Sequence, residues 1–586
     1  MRNNDIVFFN LHRRYLNMNT NYTVSNGIYN LSAFLNANGY RAQGFSGELC
    51  EGKNLLDKIC NTHKTAAIGL YCDYENVTEN IFLSKYVKET YGLPVFVGGP
   101  QATALDEKFI NSAKCDVIVR YEGELTVLEL LHYFIDGTGS LDKIKGIMYM
   151  DRDVLCQNHE RELIENLNIL PFVNDECRLI QNSNSKNLNI MTGRGCPFYC
   201  AFCHEGHHTK KVRLRSVENV LAEIEIFLDN REEDDSLYIY FTDDTFTLDV
   251  ERVKTLCSGL QELRKKKDFR WFCEGHIHML YLHPEMLTYM VNAGMKRLQL
   301  GIESGTQSVL NAYRKGSTVE EIEYVVKKCV EAGVEQIYAN IILGGAHFNG
   351  KVFENEKIFV ENLLNLAPGR MEIGVVSYWP LPNTSISNNP KDYGLRIVDK
   401  NFITAVGDFP QVETIELNRY DIIDMMQELE NHIAEIMKNI IRSGVLKTEQ
   451  ILSWFPENNT CRYNGLWFYH LQNIPNVYNY HMLLKLKEAY SEKQIKDINY
   501  YNLHPMRTVS LYKNWKVQSD GTVKFFDCFL DVFEQDVLIY ATGKLSVKEI
   551  SERLIINGYS ADGLLEKCAE CLRKLEKNYL VAYSKY

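Results

Sequence analysis

Nowhere in its 586 residues does the chain carry an apolar run approaching the ~18 residues of a membrane-crossing helix. No transmembrane segment and no membrane partner are therefore expected. The opening stretch, MRNNDIVFFNLHRR, lacks a long apolar centre and reads as a strand rather than a secretion signal, so a cytoplasmic location is expected. A surplus of positive charge is also missing. Lys+Arg 64 against Asp+Glu 76 gives −12, the opposite sign to that of a general nucleic-acid binder. There is no low-complexity linker and no clear internal repeat beyond a strand–helix alternation. Cysteine is not scarce, at 16 residues. Scattered through so long a chain these are mostly small core side chains, and a local cluster of them suggests a metal. The 45% hydrophobic and 24% charged fractions exclude disorder, collagen and coiled coil as the main architecture. The length predicts roughly three to five domains.

The first segment, 1–160, alternates strand and helix patterns. IVFFN (6–10), YRAQGF (40–45), AAIGLY (66–71), PVFVGG (94–99) and DVIVR (116–120) are short strand-like runs. Between them lie helical spacings such as Ile28, Leu31, Phe34 and Leu35. Five β–α units of this kind predict a doubly wound parallel sheet, whose ligands sit beyond the carboxyl ends of the strands. Glycines fall at those ends. Gly98-Gly99-Pro100-Gln101-Ala102-Thr103 follows the fourth run and Tyr121-Glu122-Gly123-Glu124 the fifth. Either they are simple tight turns, or they let a flat ligand approach the backbone closely.

The second segment, 185–395, contains Cys196-Pro-Phe-Tyr-Cys200-Ala-Phe-Cys203. Fe–S clusters are ordinarily held by four thiolates. Three on one loop can bind three irons of a cubane and leave the fourth open. A Cys₃His zinc site completed by His204, His207 or His208 is the alternative. Strand-like runs at 237–244, 270–275, 296–304, 335–345 and 370–378 alternate with helical ones at 217–228 and 317–333. Thr318 and Glu321 form a capping box for the last of these helices, and Gly333 ends it. With the strand before Cys196 this predicts six β–α units.

The C-x-x-x-C-x-aromatic-C spacing, with Phe202 as the aromatic, resembles the signature of the radical S-adenosylmethionine (radical SAM) superfamily. That resemblance implies a partial (β/α)₆ barrel, a [4Fe–4S] cluster on Cys196, Cys200 and Cys203, and SAM chelating the open iron. It also implies reductive cleavage of SAM to a 5′-deoxyadenosyl radical, with the protein orienting and shielding the reactants. Carried over position by position, Asp243 and Asp244 after the second barrel strand match the place that holds the SAM amino group. Glu303 and Ser304 in Gly301-Ile302-Glu303-Ser304 match the family's G-x-E-S. Arg314 stands where a carboxylate-binding arginine is often found, and Gly344 near the expected adenine. After the third strand, Glu274-Gly275-His276-Ile277-His278 replaces the arginine of related enzymes. The segment before the barrel resembles the cobalamin-binding domain that precedes many of them, with Gly98, Gly99, Gln101, Thr103, Glu122 and Gly123 as contacts. Gln101 takes the place of a frequent histidine. The Asp-x-His-x-x-Gly cobalt-ligand motif is absent, which removes histidine ligation through that motif.

Residues 396–505 form a helical and aromatic region. It holds a long helical pattern at 416–442 and a Tyr/Asn-rich stretch at 456–482, with Trp454 and Trp467, that either packs a small domain or lines a channel. Residues 506–586 begin with an alternating stretch whose Asp520-Gly521 is a hairpin turn signal. Three helical patterns follow, one opened by a Ser546–Glu549 capping box, and the chain closes on LVAYSKY as an edge strand. Cys568 and Cys571 lie on an apolar helical stripe and read as core. A hairpin with three helices is a winged-helix module. With the step Thr542-Gly543-x-x-Ser546-Val547-x-Glu549-Ile550 it resembles the peptide-recognition element of ribosomally made, post-translationally modified peptide (RiPP) pathways.

The expected fold is thus α/β and multidomain: a doubly wound parallel sheet, a partial (β/α)₆ barrel, a helical region and a winged-helix module. The order resembles the radical SAM C-methyltransferases of RiPP maturation. It implies a precursor peptide, held by its leader through strand addition, and a one-electron reductant such as flavodoxin or ferredoxin. In that family one SAM methylates cob(I)alamin and a second supplies the radical. Two rivals are a peptide cyclase, epimerase or cross-linking enzyme without methyl transfer, and a redox-sensing DNA- or peptide-binding protein.

Overall fold

In a parallel sheet covered on both faces, successive side chains must all be apolar yet enter two different cores. The first apolar run does this. In β1 (Ile6–His12) Val7, Phe9 and Leu11 pack with Ile68, Leu70, Val95 and Val97 on one face. Ile6 and Phe8 pack with Phe96, Val117 and Val119 on the other. In the computed structural model, residues 4–12, 26–62, 65–180, 187–204, 211–232, 237–398, 409–455, 466–511, 515–526 and 528–585 are described. The chain divides into two compact units, Met1–Val360 with Ile373–Glu430, and Glu361–Glu372 with Asn431–Tyr586.

The first unit opens with a seven-stranded sheet of order β2-β1-β3-β4-β5-β6-β7. β1 to β5 are parallel: β2 is Ala42–Glu48, β3 Ala67–Tyr71, β4 Val95–Gly98 and β5 Val117–Val119. All five sequence-predicted runs are strands. The order reverses at β1, so the crevice beyond β1 and β3 is the topological switch point where open α/β sheets bind ligands. An antiparallel hairpin, β6 (Ile147–Asp151) and β7 (Val154–Gln157), extends the edge beyond expectation. Its turn is made by Arg152 and Asp153, both at positive φ, so no glycine marks it in the sequence.

The second sheet of this unit has the order β15-β14-β13-β12-β11-β8, the predicted six strands in sequence. They are β8 (Asn187–Ile190), β11 (Leu237–Phe241), β12 (Phe269–Gly275), β13 (Met295–Glu303), β14 (Gln336–Leu343) and β15 (Met371–Ser377). A two-residue ladder, β9 (Gly193–Arg194) with β10 (Arg213–Leu214), brackets the cysteine loop. The helix Val319–Ala332 begins with the predicted capping box and ends on Gly333 at φ 87°. Cys257 and Cys329 are buried on helices, as expected.

The second unit contains the helices Leu466–Gln472 and Pro475–Lys485, and Trp454 packs on Trp467 with ring centroids 5.7 Å apart. Both indoles are buried, which is core packing; residues 456–465 of the aromatic stretch lie outside the described residues. The predicted hairpin is present as the first two strands of a three-stranded antiparallel sheet, Trp515–Val517, Val523–Phe525 and Cys528–Leu530. The helices Val532–Tyr540, Val547–Ile556 and Leu564–Lys577 follow, the second with its Ser546 capping box. Cys568 and Cys571 lie in this core. The closing strand, Val581–Ser584, pairs with His504–Arg507 and not with the hairpin. No helix among the described residues is long and apolar enough to cross a membrane.

Candidate functional site

The cysteine loop leaves the carboxyl end of β8, and a buried carboxylate fixes its departure. Asp243, just beyond β11, accepts hydrogen bonds from the Thr192 amide at 2.6 Å, the Gly193 amide at 3.1 Å and the Thr192 hydroxyl. Burial pushes this carboxyl up to about 6 against the opposing pull of those donors. Both oxygens are thereby committed to the loop, so Asp243 is not available to a ligand amine. Its neighbour Asp244 lines the cavity described below and accepts from the Gly195 amide.

Further along the loop, the Ala201 amide donates to the Tyr313 carbonyl at 2.8 Å, and the Ile386 amide donates to the Ala201 carbonyl at 3.1 Å. The Cys203 amide closes a turn onto the Cys200 carbonyl at 3.1 Å. Phe202 meets Tyr313 edge-on at 5.0 Å, and Phe198 stacks on His276 at 3.6 Å. The aromatic of the motif thus anchors the loop. Cys200 is buried and Cys196 and Cys203 are partly exposed. Burial raises the Cys200 thiol, and the nearby Lys315 ammonium opposes that rise. Among the described residues no three Cys, His, Asp or Glu side chains converge as a single metal ion requires. His207 and His208, the zinc alternative's partners, lie outside the described residues.

At the end of β13, Glu303 takes φ 59° and pairs with Lys315 at 2.9 Å, both buried. Gly301 makes the room, because a Cβ there would stand 2.4 Å from the Lys315 Nζ. Glu303 acts on the Cys200 thiol of the loop, whereas Ser304, the next residue of the motif, is turned elsewhere. The Ser304 hydroxyl donates to Glu356 at 2.5 Å, and the Gly305 amide donates to the same carboxylate at 2.6 Å. Ser304 therefore holds the turn. Arg314, at φ 53°, is exposed and reaches Ser385 at 3.5 Å, beside a polar depression with Tyr199 and His347. The cation that faces Cys200, Cys203 and Glu303 is the next residue, Lys315. Sequence reasoning missed it, and the only signal was the Arg-Lys pair, which does not say which of the two points inward. Gly344, at φ 70°, packs against Ile422.

A cavity of about 590 Å³ lies beyond the carboxyl ends of β3, β4 and β5. On the sheet side it is lined by Gly98, Gly99, Thr103, Glu122, Gly123 and Glu124, and on the loop side by Gly193, Arg194, Gly195, His204, Thr242 and Asp244. Gly99 has φ 109°, and a Cβ there would stand 2.3 Å from the Cys72 carbonyl oxygen, so only glycine brings the backbone to this surface. Gln101 stands apart from this surface: its side chain is buried and outside the cavity lining, and its backbone amide donates to the Cys72 carbonyl at 3.2 Å. Glu122 is held by Arg213 at 2.7 Å and Arg194 at 3.1 Å, and Arg194 also grips Glu124 at 2.5 Å. Phe8, Leu31, Leu70 and Phe96 add an apolar floor, and a cradle of glycine backbone over such a floor suits a flat, polar-rimmed ligand.

Residues 190–355 match the Radical SAM superfamily. An uncharacterized methyltransferase of Pyrococcus horikoshii is 28% identical over 273 residues, 46% of this chain and 55% of that protein. The cytidylyl-2-hydroxyethylphosphonate methyltransferase of Streptomyces wedmorensis is 24% identical over 283 residues, 42% of this chain and 51% of that protein. The chain spans about half the length of these curated relatives. Among solved structures, the cobalamin-dependent SAM radical enzyme OxsB with aqua-cobalamin and SAM bound superposes with TM-score 0.61 at 17% identity, covering 98% of this chain and 84% of that one. The radical SAM methyltransferase TsrM from Kitasatospora setae, with cobalamin and a [4Fe–4S] cluster bound, gives TM-score 0.56 at 15% identity, covering 73% and 85%. Residues 190–355 thus match a radical SAM domain, and the chain shares the fold seen in OxsB and TsrM.

Proposed function

We propose that this protein is a cobalamin-dependent radical SAM methyltransferase that modifies an unactivated carbon of a ribosomally made peptide. The observation that carries the reading is the cavity whose two walls are the glycine turns after β4 and β5 and the loop that leads to Cys196. Cys196, Cys200 and Cys203 would hold a [4Fe–4S] cluster, and the glycine cradle a corrin. Together with SAM these groups supply a radical that takes hydrogen from carbon and a methyl group to replace it.

The chain's own residues bind, orient and screen. Lys315 and Glu303 place opposite charges beside the loop, where the carboxylate and ammonium ends of SAM are to be received. Phe198 and Phe202 brace the loop through their ring contacts with His276 and Tyr313. In the second unit, the strands Trp515–Val517 and Cys528–Leu530 are the two edges of the small sheet, with Val517 and Phe529 exposed. An exposed edge with apolar side chains suits strand addition by a precursor's leader. A flavodoxin or ferredoxin would supply the electron.

The test is anaerobic reconstitution followed by turnover with SAM carrying a deuterated methyl group. The expected result is a [4Fe–4S] absorption and EPR signal lost in Cys200→Ala, and the label in the product. A stoichiometric zinc site ends the reading. Formation of 5′-deoxyadenosine with an unlabelled, rearranged peptide replaces it with cyclase, epimerase or cross-linking chemistry.

A further inference from the structure

A buried ion pair adds little to stability once both charges have been taken out of water. The pair of Glu303 and Lys315, at the carboxyl mouth of the barrel, is nevertheless held by uncommon backbone. Glu303, the last residue of β13, sits at φ 59°, and Arg314, beside the lysine, at φ 53°. Non-glycine residues rarely adopt positive φ, and such strain gathers at working sites. Gly301 is needed too, since a Cβ there would meet the Lys315 Nζ at 2.4 Å and the Glu303 Oε1 at 2.8 Å.

This construction fixes Lys315 against the cysteine loop. Two residues before it, the Tyr313 carbonyl accepts from the Ala201 amide at 2.8 Å, and the Tyr313 ring meets Phe202 edge-on at 5.0 Å. The Lys315 Nζ itself lies over the Phe202 ring, 5.8 Å from its centre. Phe202 stands between Cys200 and Cys203 in the chain. The ammonium is therefore held against the stretch that carries two of the three thiols.

An ammonium has three N–H donors. Glu303 accepts one at 2.9 Å, and among the described residues it is the one hydrogen-bond acceptor of the Lys315 side chain. The side chain is only 8% exposed. Burial works against its charge, but Glu303, Cys200 and Cys203 outweigh burial and raise its pKa. At Cys200 burial is the largest influence, and after it the ammonium outweighs the Glu303 carboxylate. Two further titratable groups lie near. Burial pushes Glu274 up to about 7, with Asp244 adding to the rise, and pushes His276 down to about 3, with Lys315 adding to the fall. At neutral pH His276 is uncharged and Glu274 offsets the ammonium only in part.

Adding an electron to an iron–sulfur cluster adds negative charge, and the potential follows the net charge and the hydrogen bonds around the sulfurs. A fixed positive charge screened from water favours the reduced state. We propose that Lys315 sets how readily a cluster on Cys196, Cys200 and Cys203 accepts its electron: the ammonium favours the reduced form, and Glu303 holds the ammonium in place and tempers it. This rests on the reading of those cysteines as cluster ligands and adds a control on reduction to it. The electron comes from the flavodoxin or ferredoxin of that reading, and no covalent bond is made or broken.

The test is a potentiometric titration of the full reconstituted protein without SAM, so nothing turns over. The reduced cluster is read by EPR, and iron and sulfide are measured on every sample. K315M keeps the length of the side chain and removes its charge. It is expected to lower the ratio of reduced to oxidised cluster about tenfold at a given potential, the size of one charged hydrogen bond. That is a midpoint about 59 mV more negative. K315R keeps the charge and is expected to stay near the parent. E303Q keeps an acceptor for the ammonium but loses the counter-charge, so its midpoint is expected to move to more positive values. Residues that merely brace the loop would shift the midpoint the same way when either is changed. Shifts of one sign in K315M and E303Q therefore overturn the proposal. An unchanged midpoint in K315M also overturns it, which is the result for a lysine that serves only the SAM carboxylate. If K315M fails to retain iron, E303Q decides alone, and an unchanged or more negative midpoint overturns the proposal. A protein that takes up zinc and no sulfide ends the functional reading and this proposal together. A normal cluster whose midpoint ignores both substitutions ends this proposal alone.

Discussion

Burial, reinforced by the Asp244 carboxylate, lifts Glu274 from an ordinary 4.5 to about 7, with Lys315 opposing. A carboxyl raised in the folded state binds its proton more tightly there than in the unfolded chain. Its contribution to stability is therefore fully present below about pH 4.5 and is lost as pH rises through about 7. Relative to the parent, Glu274→Gln is expected to gain stability between those limits. The gain is on the order of 2 kcal/mol, allowing for solvent screening of a half-buried group. Urea unfolding of both proteins at pH 5 and pH 8 checks this, and a difference that does not change with pH contradicts it. At this scale the sequence was least informative. Arg314 and Lys315 are adjacent cations, but Arg314 adopts positive φ and leaves for the surface while Lys315 enters the mouth. Asp243 and Asp244 are adjacent carboxylates, yet the first has both oxygens taken by Thr192 and Gly193 while the second accepts from the Gly195 amide and lines the cavity. A motif names a position in the chain; the direction of a side chain depends on a single φ and on which partner is nearest.

At the scale of the element, the turn after β4 offers a clean contrast. Gly99→Ala would drive a Cβ to 2.3 Å from the Cys72 carbonyl oxygen at φ 109°, whereas at Gly98 the nearest atom would be 3.6 Å away. Gly99→Ala is expected to cost about 2–4 kcal/mol and to lower the visible absorption of retained corrin. Gly98→Ala should keep the fold, so loss of corrin there without loss of stability would place the ring against this backbone. Thermal melts and the spectrum of the purified protein read both effects. Elements were largely legible beforehand, because their signals are short-range. All five strands of the parallel sheet, the six of the barrel, and the caps at Thr318 and Ser546 follow from periodicity and capping chemistry. The hairpin of β6 and β7 escaped, since its turn is built from Arg152 and Asp153 rather than glycine. The partner of the last strand escaped too. Pairing it with His504–Arg507 joins residues far apart in the chain, and no local pattern encodes that choice.

Within the first unit, one arginine joins the parallel sheet to the cysteine loop. Arg194 lies two residues before Cys196, and its guanidinium binds Glu122 and Glu124, both at the end of β5. Arg213 adds a second tie to Glu122. Removing one partner of a buried ion pair leaves uncompensated charge, which commonly costs about 3–5 kcal/mol. Arg194→Met is expected to destabilise the unit by about that amount. It should also lower iron and corrin content together, because the same side chain positions both walls of the cavity. Metal analysis alongside denaturation checks this, and a variant that loses iron but keeps its corrin contradicts the shared role.

The amino-acid sequence alone determined the cysteine spacing, the glycines at the strand ends and the two alternating α/β segments. These are local features, fixed by covalent neighbours and by helix and strand periods. Tertiary structure decided which carboxylate has both oxygens taken up by the loop and which of two cations faces the thiols. Those outcomes depend on positive backbone angles and partners brought together from remote parts of the chain.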